Sequence, residues 1–185
     1  MSMSYKGLSN EKRWIVIGIP VLFVLGSIVH SLYDISGQNV FVGLFFPVNE
    51  SVWEHLKMVV LPIILWWSIY YIVMGEKYKI NKDKWFTSAL ISLLVALITI
   101  PLLHYFYIEA FGIESVVIDI IILFLAIAFG QLLALHYYNY GKGINYIIVI
   151  AIMIFIIGVF MYFTFNPPHL PIFMDTETGQ YGIEK

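Results

Sequence analysis

The chain has 185 residues, of which 61% are hydrophobic, 17% aromatic and only 12% charged. A soluble domain carries roughly a quarter charged residues, so a disordered chain, a collagen-like repeat and a water-soluble core with a charged skin are all excluded. The net charge of −2 removes the basic footprint of a nucleic-acid binder, and the absence of cysteine removes disulfides, thiolate nucleophiles and cysteine metal sites. What remains is a single integral membrane domain, residues 1–185, with the lipid bilayer as its surroundings.

In chain order, five apolar segments are long enough to cross a bilayer as helices of about 20 residues: 14–33, 53–74, 85–107, 116–138 and 146–165. They are continuously apolar, without the strict alternation of barrel strands, so the expected fold is an all-α five-helix transmembrane bundle. The first segment follows Lys12 and Arg13. It exceeds the roughly 7–15 apolar residues of a signal peptide and no A-x-A-like site follows, so it reads as an uncleaved span. Between spans one and two, residues 40–48 are apolar but too short to span, which points to a re-entrant or interfacial segment. Small residues recur every four positions in span three (Ser88, Ser92, Ala96) and span four (Ala126, Gly130, Ala134), a pattern that lets helices approach closely. After span five the tail 166–185 opens on a proline-rich stretch and then turns, with Gly179 supplying a positive φ.

Orientation follows from the basic residues. Lys6, Lys12, Arg13, Lys77, Lys79, Lys82, Lys84 and Lys142 all fall on one side, leaving Lys57 and Lys185 on the other. The N-terminus is therefore expected in the cytoplasm and the C-terminus outside. Trp14, Trp85 and Tyr146 mark the inner ends, and Trp53, Tyr105, Tyr107 and Tyr162 the outer ends, as interfacial belts do.

Given this topology, titratable groups gather on the outer side. Asp34, Glu50, Glu54, Glu109, Glu114, Asp119, Asp175, Glu177 and Glu184 lie there, with His30, His55, His104 and His169; His136 lies near the inner end of span four. Ionisable side chains within spans normally face the bundle interior and each other. His30, His55 and His104 are thus the expected ligands of a divalent metal, zinc before others. Glu50 and Glu54 are the expected catalytic carboxylates, with Asp34, Asn49, Asp119, His169 and Asp175 as accessory groups. The same groups also suit general acid–base work without a metal.

Plainer readings stand beside these. Ser51 to Glu54 matches a capping box, Asn49 is an alternative cap, and Lys57 pairs with Glu54 or snorkels. His30 and His104 each have a proline-freed carbonyl as an alternative partner. Functionally, hydrolysis of a lipid or peptide at the outer leaflet competes with two readings. One is a cation- or proton-coupled transporter component, for which a homo-oligomer supplies the pathway; the other is a non-catalytic assembly or sensor subunit. A pocket closed toward the cytoplasm favours the first, and a polar path to His136 the second. An exposed flat surface favours the third.

Residues 46–57, FPVNESVWEHLK, resemble the signature of a family of small, uncharacterised bacterial multi-pass membrane proteins, and PPHLPIFMD at 167–175 with TGQYG at 178–182 looks like that family's C-terminal motif. The resemblance implies a bacterial inner membrane and carries no activity with it.

Overall fold

A computed structural model describes residues 8–183; Lys6, Glu184 and Lys185 lie outside the described residues. The helices are α1 (Asn10–His30), α2 (Leu32–Ile35), α3 (Val40–Gly43), α4 (Val52–His55), α5 (Lys57–Met74), α6 (Lys82–Phe111), α7 (Val116–Tyr140) and α8 (Tyr146–Phe165). Only Leu56 separates α4 from α5, and Val52–Met74 forms one span, so five helices are long and apolar enough to cross a membrane.

The span limits move where local chemistry overrides apolarity. The first span stops at His30, not 33, because the chain breaks at Ser31 before the short α2. The third runs from 82 to 111, beyond the expected 85–107. Asn81 starts it, its side chain accepting from the Lys84 amide, and Gly112 stops it at φ 64° in the left-handed region. The apolar segment 40–48 becomes α3, a turn over 44–46 and a short irregular stretch, with Val40 and Phe41 exposed and Gly43 and Pro47 buried.

The spans pack as a four-membered ring, α1 on α5, α5 on α6, α6 on α7 and α7 back on α1, while α8 lies outside against α6 and α5. The α6–α7 seam is the most extensive, and the small-residue stripes build it. Ser88, Ser92, Ala96, Ala126 and Ala134 are fully buried, and a Cβ placed on Gly130 would stand 2.6 Å from the Ser92 carbonyl oxygen. The opposite end of the bundle is aromatic. Trp14 stacks on Trp66 at 3.9 Å, and Trp85 donates its Nε1–H to the Trp67 carbonyl at 2.9 Å. Trp85 is completely buried, so it is a core residue and not the interfacial belt residue that its position at a span end implied.

The connection 31–51, the turn 112–115 and the tail 166–183 share one end of the ring. Lys12, Arg13, Lys77, Lys79, Lys82, Lys84 and Lys142 are at the other, on or beside the ends of α1, α5, α6 and α7.

Gly130→Val forces α6 and α7 apart and is expected to destabilise by about 1–3 kcal/mol, the usual cost of overpacking. Gly158→Ala in α8, where nothing lies within 4 Å, is expected to be neutral. Thermal unfolding of the purified variants in detergent separates the two.

Candidate metal centre

The site is built where α1 ends and α4 begins. Ser51 caps α4, its hydroxyl accepting from the Glu54 amide at 3.2 Å, and the Asn49 side chain accepts from the Ser51 amide at 3.0 Å. This fixes the first turn and sets Glu50 just before it and His55 at its end. The His55 Nδ1–H donates to the Ser51 carbonyl at 3.0 Å, which places the Nε2 lone pair on the far side of the ring. That Nε2 lies 3.0 Å from His30 Nε2, at the last residue of α1, and the two rings are nearly parallel, 24° apart. Glu50 Oε2 completes the group at 3.2 Å from His55 Nε2 and 3.5 Å from His30 Nε2. His30 therefore finds its partners on α4 and not in a proline-freed carbonyl.

The electrostatics suit a cation. Contact with His30, then with His55, holds the Glu50 carboxyl far below the ordinary carboxylate range. Metal ligation would require that carboxylate beside imidazoles that have each given up a proton. Among the described residues, His30, Glu50 and His55 are the group whose ligand atoms all lie within 4.8 Å of one another.

His104 is not in that triangle. Its Nδ1 meets Asp119 Oδ1 at 2.9 Å across the α6–α7 seam, and the Tyr107 hydroxyl donates to the same carboxylate at 3.1 Å. Both pairs nevertheless line one cavity of about 540 Å³ set between α1, α5, α6 and α7 and covered by Glu114, Thr176 and Glu177. A second cavity of about 270 Å³ lies on the outer side of the triangle, lined by Asp34, Asn49 and Asp175 among others.

Glu54 lines neither cavity. It is buried, and its carboxylate accepts from Lys57 Nζ at 2.6 Å and from the Val48 amide at 3.1 Å. The capping box is thus half formed, since the Glu54 side chain turns to Val48 and not back to the Ser51 amide. Lys57 is itself 1% exposed and does not snorkel; it also donates to the Gly43 carbonyl at 2.8 Å and to Thr164 Oγ1 at 2.6 Å. Thr164, near the end of α8, carried no signal in the sequence.

The tail roofs the site. Asp175 organises its turn, accepting from the Glu177 amide and the Thr178 hydroxyl, both at 2.9 Å, and Gly179 has φ +72° there as expected. Asn49 donates to the Gly182 carbonyl at 3.0 Å, and the Ile183 amide donates to the Thr164 carbonyl at 3.3 Å. At Gly182, φ is +73° and a Cβ would stand 2.8 Å from the Thr164 carbonyl oxygen, so only glycine fits. His169 packs at a 38° tilt against Tyr181, with ring centroids 4.6 Å apart, and lines neither cavity.

A family profile described as a family of unknown function, DUF6512, matches residues 3–183. The chain belongs to this family. No curated protein and no solved structure matches it. Both segments that resemble a family signature, 46–57 and 167–182, therefore fall within the DUF6512 match, and both converge on the same end of the bundle, one supplying ligand-type residues and the other the cover.

Lys57→Ala strands the Glu54 carboxylate in a buried site and is expected to destabilise by about 3–5 kcal/mol, whereas the double substitution Lys57→Met with Glu54→Leu recovers much of that loss. Unfolding midpoints of the three proteins test this, and an unchanged midpoint in Lys57→Ala would refute the role of the pair.

Proposed function

We propose that this DUF6512 protein is a membrane hydrolase that holds a divalent metal, zinc by preference, on His30, Glu50 and His55 and cleaves a lipid or peptide at the outer leaflet. The observation that carries the reading is the triangle of ligand atoms. Its edges are 3.0, 3.2 and 3.5 Å, and zinc bonds of about 2.0–2.1 Å at tetrahedral angles require ligands about 3.3–3.4 Å apart. Two histidines and a glutamate with a fourth position open is a catalytic ligand set; structural zinc sites are closed by four protein ligands. The Nδ1–H bond from His55 to Ser51 is the outer support that zinc-binding histidines normally have.

A divalent metal, if held by His30, Glu50 and His55, would supply Lewis acidity toward water and a carbonyl. The chain's own groups supply the proton handling. Asp119 fixes His104 with its Nδ1 occupied, leaving Nε2 as the exchangeable atom, and Tyr107 holds the Asp119 carboxylate still. Water adds to the carbonyl carbon, the bond from that carbon to the leaving oxygen or nitrogen breaks, and a proton from the water passes through His104 to the leaving group. The products are a carboxylic acid and an alcohol or amine.

Orientation rests on the positive-inside rule. Among the described residues, every lysine and arginine except the buried Lys57 shares the end of the bundle opposite the triangle, which supports a cytoplasmic N-terminus and an extracytoplasmic site and tail in the bacterial inner membrane. Transport draws no support: His136 lines neither cavity and packs against Tyr140.

Metal analysis of protein purified in detergent tests the reading. About one zinc per chain is expected in the wild type and in His104→Ala, with background levels in His30→Ala and His55→Ala. His104→Ala is expected to keep its metal and lose hydrolysis of a model ester by about 10²–10⁴-fold, the usual worth of a positioned acid–base group. Background metal in every protein overturns the centre. Lowering the pH through the range where imidazoles take up protons is expected to release the zinc.

A further inference from the structure

His30, Glu50 and Glu177 line both cavities, so the His30–Glu50 edge of the ligand triangle stands as a wall between them, with His55 on the larger side. The two sides of that wall differ in chemistry. The 540 Å³ chamber is floored by Met58, Ile100, Ile122 and Leu123. It includes Val116 and Ile120 of α7, whose exposures of 74% and 49% place them at a lateral mouth on the outer face of the bundle. In a bilayer that face meets hydrocarbon. The 270 Å³ cavity is polar; Asp34 and Asp175 line it beside Glu50 and the shared Glu177, and among the described residues no lysine or arginine lines it.

We infer that the substrate is a single-chain amphiphile laid across this wall, with its apolar chain in the lateral chamber, a cationic head in the acidic vestibule and the bond joining them at the triangle. The inference rests on the hydrolase reading and names its substrate class. An apolar chain gains from leaving neither hydrocarbon nor its equivalent, since the chamber opens sideways. The head exchanges water for a lining in which, among the described residues, carboxylates outnumber basic groups, which favours a cation and opposes an anion. Cleavage follows the scheme above: water adds to the acyl carbon, the ester C–O bond breaks, and the head leaves as an alcohol that takes up the proton.

Three laurate esters, of choline (cationic), glycerol (uncharged) and glycolate (anionic), separate the contributions. Their binding to metal-free protein in nanodiscs is measured by native mass spectrometry, and their hydrolysis with zinc-loaded protein. The choline ester is expected to bind at least tenfold more tightly than the glycolate ester. Asp34→Asn combined with Glu177→Gln is expected to bring the three within about twofold while zinc content stays unchanged. Ile120→Trp, which narrows the mouth, is expected to weaken all three alike. Equal binding of the three esters by the wild type, tighter glycolate binding, or no binding of any overturns the inference. If zinc is bound and p-nitrophenyl acetate is still cleaved in that case, the hydrolase reading stands without it; if no zinc binds, the reading itself has failed.

Discussion

The structure depends on one buried ion pair. Lys57 and Glu54 sit three residues apart at the start of the second span, both nearly inaccessible, where an unpaired charge costs several kcal/mol. Each charge therefore recruits every polar group within reach. The ammonium draws in the Gly43 carbonyl and the Thr164 hydroxyl, and the carboxylate the Val48 amide. Those partners come from the connection after α1 and from the far end of α8. One pair thus ties together three segments distant in sequence, and the strip between Gly43 and Val48 is held at the position from which Glu50 reaches His30 and His55.

From that anchor the rest follows in layers. Ser51 and Asn49 shape the first turn of α4, and the Ser51 carbonyl sets the tautomer of His55. The small residues of α6 and α7 let those helices close tightly below, while His104, Tyr107 and Asp119 occupy the end of the same seam that lines the chamber. The chamber is the space left between this seam and α1, and the tail closes it from above. Polar groups that hydrocarbon excludes are therefore gathered at two levels, one structural and sealed, the other open to two cavities.

The fold was largely legible in the sequence because hydrocarbon imposes simple rules: length and continuous apolarity give five spans, and the small-residue stripes mark the closest seam. Limits were less legible where a cap decides them, as at Asn81, Gly112 and Ser31. In the site, the gathering of His30, Glu50, His55, His104 and Asp119 followed from the exclusion of lone charges, and all five line one cavity. Their pairing did not. Spacing cannot say that His104 faces Asp119 while His30 faces His55, since both depend on how the helices rotate in the ring. The roles of Glu54 and Lys57 were hidden for a related reason: an i,i+3 pair looks like a surface contact until Thr164 and Gly43 bury it. Trp85 shows the same limit, because a tryptophan at a span end reads as interfacial whether or not a neighbour covers it.

The arrangement also has a temporal side. His30, Glu50 and His55 all precede the end of the second span, whereas Thr176, Glu177 and Gly182, which cover them, come after the fifth. A chain that is made and inserted from its N-terminus presents the three ligand atoms before their cover has been synthesised. Presentation of this group and its covering by the tail are therefore separate events in biogenesis, and the ribosome, by the time it takes to finish three more helices, sets the interval between them.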